Sequence, residues 1–472
     1  MKKIIYTAAI ILGAVVTMQS CRDSDLEPTL AQQRIITDAV RSTDDMRATL
    51  NGAYDRMSSV YYYGRDYIIY GEVRSDNAYS NANSNKFVTV GQMVMTTNDA
   101  YPTDTWYQIH QVIHSANVIA NLDLETVSGD VALKNHYLGE ALVIRALAHF
   151  DLLKLYGQQH VSGAGYMSAL GVPYVTELPV GTPITPPRKT VQQVYDLAMA
   201  DLDRAISLMS SRYDSPSNSH YLSINAAYAI KARIALYFKQ YSTALTAAKK
   251  VIETNAYNIA ESSAFASTFT TDSTKNQIFS IDYNSADYLG NNSLGSIYWG
   301  KSYGDIVMLN DLYSKFESTD VRANLFQSEG SAYRNKKYAV VDGSHDVPVI
   351  RYEEVILTYA EAALQTGDPT TALTYLNKIP SNRGASAHTS ATLDNILLER
   401  RKEFAGEGFR FYDLARNDLS LPLVDATKQT YGTYNKTTNR YDTVEYGSYR
   451  YAFPIPLREM SANAYMIQNK NY

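Results

Sequence analysis

Residues 355–376 read VILTYAEAALQTGDPTTALTYL, and the fold turns on how they are read. Val355, Ile356, Tyr359, Ala360, Ala363 and Leu364 recur at the spacing that lays apolar side chains along one face of an α-helix. Gly367 ends that helix. Asp368 is placed to cap the next one, with Pro369 at its first position and Ala372, Leu373 and Leu376 facing inward. A second segment has the same plan. Ile224 to Phe238 carries Ala226, Ala227, Ala229, Ala232 and Ala235, small residues that let a neighbouring helix come close. Tyr241 follows a short turn, and Ala244, Ala247, Ala248, Val251 and Ile252 form the facing stripe. Helix pairs of roughly 34 residues with small contact residues are tetratricopeptide-like. The two pairs stand about a hundred residues apart. The expected fold is therefore all-α, a mostly helical scaffold interrupted by long irregular insertions.

Working outward, Asp104 to Leu122 and Val131 to Tyr156 read as helices, the second stopped by Gly157, and Thr190 to Met209 reads as another. Gly157 to Pro187 is a loop excursion rich in Gly, Pro and Val. Helical periodicity fails from about residue 255 to 334, a stretch rich in Ser, Thr, Asn, Gly and aromatics, with one strand-like run at Ile278–Ile281. Residues 419–451 are irregular as well. Long irregular segments on a rigid scaffold are where binding is expected.

The N-terminus carries a different message. Lys2 and Lys3 precede an apolar run from Ile4 to Met18, too short to span a bilayer, and Ser20 stands before Cys21, the one cysteine of the chain. Residues 1–20 read as a lipoprotein signal peptide and Cys21 as the lipidated residue. Residues 21–40 read as a polar tether that begins with an acidic stretch, leaving residues 41–472 as the folded domain. A lone cysteine excludes an internal disulfide and any cysteine-based metal site. Net charge is -5 at pH 7, which argues against nucleic acid as a partner. The chain has 40 tyrosines against 2 tryptophans. Most are expected to fill packing positions, and the rest suit a surface that touches hydroxyl-rich or peptidic ligands.

Several motifs imitate chemistry. Gly295 to Ser302 satisfies the pattern of a phosphate-cradling loop, yet no buried strand precedes it and Ile297, Tyr298 and Trp299 are bulky where such a loop must be lean. Gly300 to Gly304 fits a hydrolase elbow in a chain whose helical plan is wrong for that fold. Glu399, Glu403 and Glu407 could be taken for catalytic carboxylates. With Arg400, Arg401, Lys402 and Arg410 among them, an ion-pair network on a helix is the expected reading. His110 and His114 share a helix face without a nearby carboxylate at ligand spacing, so no metal is expected there. No cofactor is implied.

In order along the chain, a set of short matches resembles the RagB/SusD family of nutrient-binding outer-membrane lipoproteins. They include Asn51-Gly52-Ala53-Tyr54, Trp106 to Asn117, Gly139-Glu140-Ala141 with Arg145-Ala146 and Tyr156-Gly157, and Pro187 to Val191. They continue with Tyr359-Ala360-Glu361-Ala362, then Glu399-Arg400 through Glu403, Glu407-Gly408 and Arg410 to Asp413-Leu414, and close with Pro454-Ile455-Pro456. Ile379 to Arg383 departs from the family's usual run. The resemblance implies a SusD-like scaffold with four tetratricopeptide-like helix pairs. It also implies a lipid-anchored protein of a Bacteroidetes-like outer-membrane surface, acting as the lid of a SusC-like TonB-dependent barrel and delivering oligomeric nutrients, with no catalysis. Oligosaccharide is favoured slightly over oligopeptide as ligand. The competing readings are a surface glycoside hydrolase or peptidase, and a structural or adhesive lipoprotein.

Contact residues are expected in two places: Tyr79, Asn83 and Asn85 in the polar loop after the second helix, and Asn291, Tyr298, Trp299 and Tyr303 in the insertion. Tyr61, Tyr62 and Tyr63 are weaker candidates, because three adjacent helical positions cannot face one ligand.

Overall fold

The computed structural model describes residues 39–472 apart from 180–182, 215–217, 301, 341, 433, 440 and 442. Cys21, the expected signal peptide and the tether up to residue 38 lie outside the described residues. No helix among those described is long and apolar enough to cross a membrane.

The scaffold is built from helices α1 (Thr43–Met57), α2 (Asp66–Val73), α3 (Ala100–Ala120), α4 (Val131–Tyr156), α5 (Val191–Leu208), α6 (Ile224–Tyr237) and α7 (Tyr241–Glu253). After the short α8 (Leu294–Trp299) come α9 (Tyr352–Gln365), α10 (Pro369–Leu376), α11 (Leu393–Glu403) and α12 (Arg410–Arg416). Neighbours in the chain pack on one another from α3 through α7, α1 lies across α3 and α4, and α9 packs on α7, α10 and α11. The two helix pairs read from sequence are thus direct neighbours in space. Everything from 254 to 351 loops out between them.

Local chemistry explains the ends. The Asp368 side chain accepts from Thr371 N–H at 2.9 Å, Pro369 opens α10, and Gly367 takes the left-handed φ of 89° that closes the preceding turn. Thr190 and Gln193 form a reciprocal capping box at α5. Gly157 ends α4 for another reason: its φ is -75°, and a Cβ there would meet Gln159 Oε1 at 2.2 Å and Leu153 O at 2.7 Å. Close packing, not left-handed backbone, requires glycine.

Helix α4 is buried from Leu138 to Tyr156, so its polar residues must find partners inside the protein. Glu140 takes Arg47 at 2.6 Å and the Tyr54 hydroxyl at 2.5 Å, and Arg145 pairs with Asp201 at 2.7 Å. Asp151 accepts hydroxyls from Tyr62 and Tyr63, each at 2.6 Å, and from Tyr67, with Lys154 at 3.1 Å. Tyr61 to Tyr63 therefore lie in a turn and not on a helix: Tyr62 and Tyr63 both point into the core, and only Tyr61 is exposed. Among the described residues the exposed tyrosines are Tyr61, Tyr107, Tyr221, Tyr288, Tyr434 and Tyr465. Packing accounts for most of the tyrosine excess.

The expectation of an irregular insertion needs correcting. Strands β1 (Ala78–Ser80), β3 (Ile306–Met308), β4 (Phe326–Glu329) and β5 (Ala332–Asn335) form an antiparallel sheet of order β1-β3-β5-β4. A separate ribbon pairs β2 (Gln277–Ile281) with β6 (Val347–Arg351). Three- and four-residue strands with partners as remote as β1 show no alternation that a sequence window can detect. Only β2, with its run of apolar residues, was legible.

Candidate ligand-binding face

The β1–β3 pair brings together two loops that are far apart in the chain. Ala78, Tyr79 and Ser80 lie opposite Met308, Val307 and Ile306, so the loop leaving β1 sits beside the loop entering β3. Asp305, fully buried at that junction, accepts N–H bonds from Ser84 at 2.8 Å and Lys86 at 3.0 Å, as well as the Ser84 hydroxyl. Its own carbonyl accepts from Asn81 N–H at 2.8 Å. Across the same seam Asn83 Nδ2 donates to the Tyr303 carbonyl at 2.6 Å and Asn81 Nδ2 to that of Gly304 at 3.2 Å.

Positive φ at Ala82 (58°), Asn85 (60°) and Phe87 (58°) shows the cost of this shape. The hydrogen bonds to Asp305 hold the loop there, which leaves less freedom to lose when a ligand arrives. Lys86 Nζ lies 4.4 Å from the centre of the Tyr303 ring, and Lys336 Nζ lies 5.6 Å from that of Trp299. The result is a polar face with two half-exposed aromatic rings and exposed amides at Asn81, Asn83 and Asn85.

The seven expected contact residues separate. Asn83, Asn85 and Tyr303 share this face, and Trp299 lies at the end of α8 just before Tyr303. Asn83 spends its amide hydrogens on the Tyr303 backbone, so it positions the loop as much as it offers a contact. Tyr298 does not belong here. It is fully buried, with its ring stacked on Tyr338 at 6.0 Å, because successive residues of α8 point in different directions and Tyr298 takes the inward one. Tyr79 lines a separate small cavity with Val88, Gln92 and Tyr431, and Lys428 lies 5.4 Å from its ring. Asn291 is exposed on the turn Gly290–Asn292. Sequence reasoning missed Asn81, Lys86 and above all Asp305, whose signal was the apolar run Ile306-Val307-Met308 directly after it.

The motifs that imitated chemistry have structural roles. Residues 295–298 are buried, and a Cβ on Gly295 would meet the carbonyls of Tyr338 and Val340 at 2.5 Å, so no phosphate could be cradled there. Lys301 lies outside the described residues. Gly300 and Gly304 adopt φ of 74° and 59°, and Arg334 donates to the Gly304 carbonyl at 2.6 Å. His110 packs on Trp106 and its Nδ1 meets the Trp106 carbonyl at 2.8 Å.

Glu399, Glu403 and Glu407 do form an ion-pair network, but it is not a surface one and its partners are mostly remote. Arg322 reaches Glu399 at 2.8 Å, Arg383 reaches Glu403 at 2.9 Å, and Arg351 reaches Glu403 at 3.1 Å and Glu407 at 2.8 Å. Of the neighbours expected to pair, only Lys402 does so, at 2.5 Å from Glu399. Arg400 turns to Asp413, and Arg401 and Arg410 turn to Asp76. Burial alone would raise the Glu399 carboxyl, but the hydrogen bond to His388 and the charges of Arg322 and Lys402 outweigh it and hold it down at about 2. Burial likewise acts to raise Glu403 and Glu407, and the arginines bring both below the usual range. A general acid needs the opposite shift.

Comparison with known proteins places the fold. A profile of the SusD family matches residues 324–472, and one described as starch-binding associating with outer membrane matches residues 23–236. A SusD-like protein of Formosa agariphila is 25% identical over 89% of this chain and 92% of its own length. A SusD-like protein of Bacteroides ovatus is 23% identical over 89% and 82%. Among solved structures, a putative sugar binding protein from Bacteroides vulgatus superposes with a TM-score of 0.82 at 28% identity, covering 92% of this chain and 99% of that one. A SusD superfamily protein from Bacteroides thetaiotaomicron gives 0.81 at 27%, covering 91% and 100%.

Proposed function

The chain is a SusD-like family protein of mostly helical, tetratricopeptide-like fold, and on that premise we propose that it binds glycan at the outer-membrane surface through the face formed by residues 81–86 with Trp299 and residues 303–305. The observation that carries this reading is the Asp305 junction. A buried carboxylate holds a strained, amide-rich loop against a segment bearing Trp299 and Tyr303. Aromatic faces beside side-chain amides suit pyranose rings and their hydroxyls. Relatives described as sugar- or starch-binding support carbohydrate over peptide as the ligand class.

The protein works by capture, without bond chemistry. The carboxylates that most resemble a catalytic set are held ionised by arginines. Cys21 is its lipid anchor, and a SusC-like TonB-dependent barrel is the partner to which it hands its ligand. Tyr79 and Asn291 extend the contact surface beyond the two loops.

Affinity electrophoresis of the full chain through gels containing soluble polysaccharides tests the ligand and the face together. Trp299→Ala is expected to abolish retardation, an affinity loss of at least about tenfold, while stability changes by less than about 1 kcal/mol. Retardation that persists in Trp299→Ala would move the site elsewhere. Hydrolysis of the polysaccharide by the purified protein would replace capture with catalysis.

A further inference from the structure

Away from the glycan face, strands β2 and β6 end side by side. Ile281 lies opposite Val347 in their antiparallel register, so Asp282 and Asp346 follow as the next facing positions. Like charges placed opposite each other across a ribbon destabilise it unless positive charge comes between them. The loop entering α6 reaches the same point. Ser280 N–H donates to the Ser219 carbonyl at 2.9 Å, and the next residue, His220, sets Nε2 2.7 Å from Asp346 Oδ2 and 4.0 Å from Asp282 Oδ1. One ligand atom from each of the three residues lies within 4.8 Å of the others.

A second observation comes from the cavity beside them. It measures about 240 Å³ and is lined by Tyr54, His220, Tyr221, Ser280 and Asp282, among others. Ser280 is 1% exposed, and its hydroxyl has no hydrogen-bond partner among the described residues. A buried hydroxyl left unpaired costs about 1–3 kcal/mol, so something in that cavity is its natural partner. Asp282, with a side chain 56% exposed, stands where an ion would enter from solvent.

We propose that His220, Asp282 and Asp346 bind a divalent cation of the zinc class, with the Ser280 hydroxyl holding a water that completes its coordination. An imidazole with two carboxylates is a donor set for a borderline ion, whereas calcium takes six to eight oxygens. Ligand atoms around a tetrahedral ion with bonds of about 2.0–2.2 Å stand roughly 3.3–3.6 Å apart, and the separations of 2.7 and 4.0 Å bracket that range. The ion would also supply the positive charge between the facing aspartates. None of these residues belongs to the glycan face, so either reading can fail without the other.

The test is calorimetric titration of the chelator-stripped full chain with zinc chloride and, separately, with calcium chloride. One zinc per chain is expected, bound at least roughly a hundredfold more weakly in both His220→Ala and Asp282→Asn. Asp282 is exposed enough that its substitution leaves the fold intact, which the far-ultraviolet spectrum and melting curve check. No zinc uptake, zinc binding that survives both substitutions, or calcium bound more tightly than zinc would each overturn the proposal.

Discussion

Two polar regions of this molecule are built on buried carboxylates and end in opposite uses. At Glu399, Glu403 and Glu407 every carboxylate faces arginine or lysine from several elements, all within the core. At the 81–86 loop the one buried carboxylate, Asp305, spends its acceptors on backbone N–H groups and a hydroxyl. Ion pairing locks α11 against β6 and the segments carrying Arg322 and Arg383. Hydrogen bonding to backbone shapes a loop and leaves its side chains facing outward. What separates the support from the face proposed to bind is which groups satisfy the buried charge.

The comparison breaks first at Glu403. Replacing it with glutamine removes the carboxylate that Arg351 and Arg383 share and leaves them Glu407 and Glu353. The loss should therefore fall near the low end of the cost of breaking a buried pair, about 3 kcal/mol, read by urea denaturation. A loss under about 1 kcal/mol would mean that the network is not what holds α11 in place.

Acid should act on the same region. Carboxyls depressed in the folded state bind protons more readily when unfolded, so their stabilisation is full above the ordinary glutamate pKa and is lost as pH falls through the folded value. Glu399, held at about 2, with Glu403 and Glu407 also depressed, sets that window between about pH 4.5 and 2. The melting temperature should fall steeply across it. A flat profile there would remove the distinction between the two regions.

Asp305→Ala sharpens the contrast from the other side. It frees the Ser84 and Lys86 N–H groups, so about 1–3 kcal/mol of stability should go, and glycan affinity should fall roughly tenfold as the loop loosens. Unchanged affinity would show that the loop is not preorganised by that residue. The smallest effect is expected at Tyr298, whose buried hydroxyl has no partner among the described residues. Tyr298→Phe should leave glycan binding untouched and stability equal or slightly higher, by up to about 1 kcal/mol.

The scaffold was legible because its signals are local. The helix over Val355–Leu364, the stop at Gly367 and the cap at Asp368 appear as read, although burial extends past the apolar stripe to Leu357, Thr358, Glu361 and Ala362, and leaves Tyr359 and Leu364 half-buried. The face was legible in part. Aromatic and amide residues in aperiodic stretches pointed to the two loops that meet beside the β1–β3 pair, but not to the register that buries Tyr298 and half-exposes Trp299. That register depends on α8 packing against the 338–340 segment, a contact no window of sequence contains. The partners of Glu403 were hidden for the same reason: Arg351 and Arg383 lie 52 and 20 residues away. Helical spacing suggested nearer arginines, which turned out to serve Asp76 and Asp413.

Because α7 packs directly on α9, the chain leaves the scaffold at Glu253 and returns at Tyr352 to adjoining helices. Closing a loop costs free energy only as the logarithm of its length, so doubling the excursion adds about 0.6 kcal/mol. Length is therefore cheap to change in this excursion, while its seams are not: Asp305 ties it to the loop after β1, and Arg322 and Arg351 tie it to α11.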